Sequence, residues 1–322
     1  MANVVEQLKL KAKSRLRRVL FPETHDPRVL DAARVLAKEQ LVTVVLLQRP
    51  DADSNAFDKE GLAGIEVVSV SDKDLIVKCA DQLFENRKHK GLSREAAEEA
   101  VADPLLFAAL LVKIGFVDGA VAGSIATTPS VIRAGLYGIG AIPGQKMVSS
   151  FFLMQLPDRA ITYSDCGVVP DPNASELAEI AISAANSHQR LTGEEPKVAL
   201  LSFSSLGSAD HPRVQKVRDT LTIVKEKAPD LCVDGELQFD AAFVPEIAKR
   251  KAPNSPVAGQ ANVFVFPDLD SGNIAYKITQ RLGGAKALGP LIQGLDRPLM
   301  DLSRGCSVED IVEVAVIASV LS

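Results

Sequence analysis

In one short stretch near its C-terminus the chain carries Asp301, Ser303, Arg304, Gly305, Cys306, Ser307 and Asp310, just before an apolar run from Ile311 to Leu321. A guanidinium offers planar paired donors that suit a phosphate, and a hydroxyl or carboxylate beside it can move a proton or steady developing charge. Ser307 and Asp310 also have the S-x-x-D spacing of a capping box. From spacing alone the simpler reading is therefore a helix start whose dipole both residues complement. The functional reading of the same residues is a turn presenting backbone N–H groups, Arg304 and Ser303 to an anion. Cys306 lies near that helix start, where a thiolate would be favoured, but no partner base accompanies it and it reads as a packing residue.

Other constellations are weaker. Thr127, Thr128, Pro129 and Ser130 open a helix after an apolar run, a pattern that serves an anion or an ordinary cap equally well. Residues 202–208 place Ser202, Ser204, Ser205 and Ser208 around Gly207. Arg87, Lys88, His89 and Lys90 form a basic run that as a pattern is a solvated face, and Arg28, close to Pro22 and Glu23, reads as structural. Asp165 and the residues from Asn173 to Glu179 could ligate a metal, but a capped helix start is the preferred role. There is no Walker loop, no GxGxxG and no GxSxG, so ATP, a Rossmann dinucleotide and serine-hydrolase chemistry are not indicated. Cys79, Cys166, Cys232 and Cys306 show no CxxC pairing, and the four histidines show no metal-ligand spacing. Free thiols fit a reducing compartment.

These residues need a scaffold. The 322 residues are 47% apolar and 24% charged, which suits one large or two packed α/β domains. A net charge of -5 and the absence of Trp argue against nucleic acid and anionic membrane, and point to a small ligand held by local basic residues. Residues 4–18 read as an amphipathic first helix burying Val5, Leu8, Ala12 and Leu16, with no signal-peptide core, so the cytoplasm is expected. Short Val/Ile/Leu strands then alternate with helices: strands at 19–21, 42–47, 65–70 and 116–122, helices at 27–38 and 73–84. That alternation implies a mainly parallel sheet covered on both faces. A glycine-rich break at 135–144 precedes strands at 147–154, 159–163, 198–203, 231–233 and 262–266, and a helix at 271–281. A second break at 283–289 precedes a strand near 285–291 and the terminal helix from Ser307. The two breaks suggest two three-layer α/β domains, a middle one of residues 143–287 inserted into one of residues 1–142 plus 288–322, with one continuous sheet as the alternative.

Asp301 to Asp310 closely resembles the C-terminal signature of the phosphate acetyl/butyryl transferase family. Further blocks are similar to that family in the same order: 107–140 with Asp118, Arg133 and Gly135; Ser164 to Asn173; Asp234 to Ala242; and Asn262 to Asn273. The resemblance implies a two-domain architecture like that of isocitrate and isopropylmalate dehydrogenases, and reversible transfer of an acyl group, acetyl first, between coenzyme A (CoA) and inorganic phosphate. It assigns Asp310 as base for the CoA thiol, Arg304 to the phosphoryl or acyl end, and Ser303 to the transition state. Arg133 and Arg87 match arginines that contact substrate, and Thr127, Thr128, Ser204 and Ser205 fall in ligand-contacting blocks. No metal or redox cofactor is implied, CoA being a substrate, and a homodimer is expected. One departure is Leu206, where members often carry Lys. The rivals are a butyryl or propionyl transferase of the same family, a decarboxylating dehydrogenase of related architecture, and a noncatalytic acetyl-CoA-sensing domain.

Overall fold

A computed structural model describes residues 4–49 and 63–322 of the chain. Residues 1–3 and 50–62 of the expected first domain lie outside this description. The chain divides into two compact units. One, called here the outer unit, comprises Val5–Pro143 with Leu295–Ser322; the other, the middle unit, comprises Gly144–Gly294.

The outer unit holds five parallel strands: β1 (Arg18–Phe21), β2 (Thr43–Gln48), β3 (Ile65–Ser69), β4 (Gly119–Ala122) and β11 (Leu299–Asp301), in the order β11-β4-β1-β2-β3. Its helices are α1 (Val4–Ser14), α2 (Pro27–Lys38), α3 (Lys73–Arg87), α4 (Arg94–Ala100), α5 (Pro104–Lys113), α6 (Thr128–Gly138) and α12 (Val308–Val320). Their starts follow local chemistry. Asp26, Asp103 and Thr127 each accept from a first-turn N–H, with proline in the first turn of the helix that follows. α2 buries Val29, Ala32, Ala33 and Leu36, one apolar stripe, whereas α12 buries every residue from Ile311 to Ser319 and is a core helix. The first helix stops at Ser14, so Leu16 falls outside it and is exposed, unlike Val5, Leu8 and Ala12.

The middle unit carries β5 (Ser149–Gln155), β6 (Ala160–Ser164), β7 (Val198–Leu201), β8 (Val233–Leu237), β9 (Val263–Val265) and β10 (Lys286–Gln293), in the order β10-β5-β6-β9-β7-β8. β6, β9, β7 and β8 are parallel, while β10 and β5 run antiparallel to their neighbours. Its helices are α7 (Ala174–Thr192), α8 (Pro212–Lys227), α9 (Phe239–Phe243), α10 (Pro245–Lys251) and α11 (Leu269–Arg281). The return to the outer unit therefore comes after Gly294 rather than near residue 288, because the whole of β10 pairs with β5. β11, only three residues long, is too short to announce itself by alternation.

Candidate active site

Asp301 closes β11, and the Leu302 N–H continues the pairing to the Ala122 carbonyl at 2.8 Å. The chain then turns. Ser303, Arg304 and Gly305 are exposed, the Cys306 N–H donates to the Ser303 carbonyl at 2.9 Å, and the Gly305 N–H donates to Ser303 Oγ at 3.3 Å. Ser307 caps α12: its Oγ accepts from the Asp310 N–H at 3.1 Å, while the Ser307 N–H donates to Asp310 Oδ2 at 2.8 Å. The capping box expected from spacing is thus present. It engages only one carboxylate oxygen: Oδ1 of the exposed Asp310 takes no hydrogen bond among the described residues. The exposed Arg304 guanidinium likewise has no hydrogen bond or ion pair among them. An arginine left unengaged beside a helix start is the arrangement that binds a phosphate.

Cys306, beside the start of α12, is buried. Burial, reinforced by Asp26 and Asp310 and opposed by Arg28, pushes its thiol up. A thiol so placed is protonated at neutral pH.

Beneath the turn lies a polar network. Glu23, buried after β1, accepts the N–H groups of Ser124, Ile125 and Ala126 at 2.8, 3.2 and 2.6 Å, which shapes the loop leaving β4. Arg28 donates to the Arg304 and Cys306 carbonyls at 2.9 and 2.8 Å and to the Ser124 carbonyl at 3.0 Å. Asp301 is 1% exposed and accepts a short hydrogen bond from Thr128 Oγ1. Burial pushes its carboxyl up to about 6 despite that bond, with the nearby Glu23 adding to the rise. Gly123 passes so close that a Cβ there would lie 2.2 Å from Asp301 Oδ1, so only glycine fits, and its φ of +97° demands the same.

The structure therefore joins the turn to the start of α6. Thr127 caps that helix through Ser130, and Thr128 is held by Asp301. Arg133, further along α6, is exposed and unengaged among the described residues. Arg87 meets α6 at its far end, ~12 Å along the axis from Thr128. Its Nη2 donates to the Leu136 carbonyl at 2.7 Å and its guanidinium lies over the Tyr137 ring, 3.9 Å from the centroid.

Ser204 and Ser205 belong to the middle unit. Ser204 is fully buried; its Oγ donates to Glu236 Oε1 at 2.8 Å and accepts from the Ala209 N–H at 3.0 Å. Ser205 Oγ accepts from the Gln238 N–H at 3.0 Å. Both hydroxyls thus tie their loop to β8 and the residue just past it. Glu236 organises that loop, accepting also from Gly207 N–H at 2.9 Å and from Arg218 at 3.0 and 3.1 Å. Burial opposes its ionisation, but these bonds outweigh it and hold the carboxyl down at about 2. Leu206, in the left-handed region at φ +44°, leaves its side chain 46% exposed. The loop borders a 990 Å³ cleft past the carboxyl ends of β7 and β9, where ligands of open α/β sheets bind, lined among others by Phe203, Arg213, Lys216 and Phe239.

Asp165 is no open ligand: its carboxylate accepts from the N–H groups of Ser150, Gly167, Val168 and Val169 and from Ser150 Oγ. Asn173 and Glu176 form the capping box of α7. Sequence reasoning missed Glu23, Asp301 and Glu236 as organisers; Asp301 and Glu236 at least fell within the quoted blocks, whereas Glu23 carried no such signal.

Comparisons with known proteins agree in direction. A family model described as phosphate acetyl/butaryl transferase matches residues 3–319. A phosphate acetyltransferase of Acetivibrio thermocellus is 46% identical over 322 residues, spanning 98% of this chain and 97% of that protein. A solved phosphotransacetylase from Streptococcus pyogenes superposes with a TM-score of 0.92 at 42% identity, over 98% of this chain and 97% of that one. A branched-chain phosphotransacylase from Enterococcus faecalis V583 shares the fold, with a TM-score of 0.70 at 22% identity over 95% of this chain and 99% of that one.

Proposed function

The chain belongs to the phosphate acetyl/butyryl transferase family, and on that premise we propose that it is a phosphate acetyltransferase, catalysing acetyl-CoA + phosphate ⇌ CoA + acetyl phosphate. The observation that carries this reading is the turn before α12, with an unengaged Arg304, the Ser303 hydroxyl and one open oxygen of Asp310.

In the direction of acetyl-CoA synthesis, CoA sulfur bonds to the carbonyl carbon of acetyl phosphate, and the C–O bond to phosphate then breaks with its electron pair on the departing oxygen. Arg304 holds that phosphate with paired donors and neutralises the charge it gains. Ser303 donates to the oxygen that becomes negative in the tetrahedral intermediate. Asp310 accepts the thiol proton on Oδ1. Carboxylates are weaker bases than thiolates, so this transfer is useful only as the S–C bond forms, and such help is worth about 10²–10⁴-fold. Both substrates are bound together and no acyl-enzyme forms, in keeping with the protonated, buried Cys306.

Arg133 is assigned to a CoA phosphate, with Thr127 and Thr128 at the same helix. Arg87 would have to leave Leu136 to join it, and Ser204 and Ser205 contribute through the loop they shape. The transfer uses no metal or redox cofactor. The enzyme is assigned to the cytoplasm; no helix among the described residues is long and apolar enough to cross a membrane. Its active form is assigned as a homodimer, a reading supported by Ile274, Ile278 and Leu282, exposed at four-residue spacing along and just past α11.

A steady-state assay with acetyl, propionyl and butyryl phosphate as donors, CoA as acceptor and nothing else added tests the proposal. Acetyl phosphate should give the highest kcat/KM. Preference for butyryl phosphate would reassign the acyl group within the family, and inactivity with all three would favour a sensing role.

A further inference from the structure

Arg28 sits in the first turn of α2, 276 residues from Arg304 in sequence. Its guanidinium has five N–H donors, and each is engaged. Nε–H is shared between the two oxygens of Asp26, at 3.1 and 3.2 Å. Nη1 gives one bond to the Arg304 carbonyl and one to the Cys306 carbonyl. Nη2 gives one to Asp26 Oδ2 at 2.7 Å and one to the Ser124 carbonyl. None remains for a ligand phosphate.

What these bonds join is informative. Asp26 is 3% exposed and caps α2, so it is a fixed anchor. The Ser124 loop is already fixed by Glu23. The third segment, the turn at 303–306, has few restraints of its own: one backbone bond and one weak bond to Ser303 Oγ, and a Cβ at Gly305 would meet only Ser303 Oγ, at 3.9 Å. The two carbonyls that Arg28 grips flank Gly305, the one residue of the turn without a side chain to fix it.

We propose that Arg28 is a positioning residue for acyl transfer, which fixes the backbone carrying Ser303 and Arg304 without touching substrate. The proposal rests on the reading of that turn as catalytic. A lysine cannot replace it, because one ammonium with three donors cannot serve two neighbouring carbonyls, a carboxylate and a third carbonyl in one plane. Loss of the grip lets the Arg304 backbone wander, and misplacement by ~1 Å costs on the order of 100-fold in rate.

The test compares Arg28→Ala, Arg28→Lys and Arg304→Ala, with kcat and KM for acetyl phosphate and for CoA, and with guanidinium chloride titrated into Arg28→Ala at millimolar concentration. Both Arg28 variants should lose about 100-fold in kcat with each KM within about 3-fold of the wild type, lysine should not restore the rate, and guanidinium should recover about 10-fold. If Arg28→Ala cannot be obtained folded, the Arg28→Lys kinetics decide. Wild-type kcat in Arg28→Lys or Arg28→Ala while Arg304→Ala is crippled overturns the positioning role alone. A loss confined to the KM for CoA overturns it in favour of ligand contact. Full activity of Arg304→Ala removes the catalytic reading beneath it.

Discussion

The cap and the proposed proton transfer would use different oxygens of Asp310. Oδ2 completes the cap of α12, and Oδ1 is free to take a proton. Substitution can separate them. Asp310→Asn keeps an oxygen for the Ser307 N–H and should move stability by under about 1 kcal/mol, the scale of a cap, while lowering turnover about 10²–10⁴-fold. The deficit should shrink as pH rises past ~8.5, where CoA ionises without help. Rate profiles from pH 6 to 9.5 alongside thermal melts check this; a variant that loses stability but keeps its turnover would leave Asp310 as a cap alone. Arg304 is the simpler case. Among the described residues its guanidinium holds no partner, so Arg304→Ala should cut kcat/KM by roughly 10³-fold or more, in line with removal of a charge-stabilising donor, with no change in melting temperature.

Among the elements, α7 carries a built-in acid sensitivity. His188 is wholly buried, with Nδ1 2.9 Å from Thr162 Oγ1 on β6, and its Nε2 is 3.9 Å from Glu194 and without a hydrogen bond. Burial lowers its pKa to about 4, against 6.5 for the free side chain. The unfolded chain therefore binds an extra proton between those values. Stability is fully present above pH 6.5 and is lost as pH falls toward 4, by about 3 kcal/mol. Urea midpoints at pH 7 and 4.5 should fall further for the wild type than for His188→Gln; equal falls would mean the imidazole is not the sensor. Element by element, what the sequence revealed follows from how local each cause is. The Ser307–Asp310 signal acts within one turn, and α12 begins where those residues place it. Arg28 on the 304–306 turn, Arg218 on Glu236 and Thr128 on Asp301 depend on partners brought together only by the sheet order, which no local spacing encodes. Ser204 and Ser205 looked available because a hydroxyl-rich loop does not reveal which way its side chains turn.

At the scale of the whole molecule, the exposed stripe Ile274, Ile278 and Leu282 predicts self-association. Asp270 at one end of α11 and Lys277 and Arg281 toward the other would be opposed in an antiparallel pairing of two copies. Ile278→Glu should give a particle of one 34.3 kDa chain by size-exclusion light scattering where the wild type gives twice that mass; an unchanged mass would move the interface elsewhere. The outer unit is also assembled from both ends of the chain, its edge strand β11 and helix α12 arriving only after the whole middle unit has been made. On a ribosome, that order means the middle unit can close as an unbroken segment while β4, already paired with β1, still waits for its second neighbour. If Arg304 grips phosphate as proposed, a chain interrupted before it should not turn over acetyl phosphate, even with the middle unit fully folded.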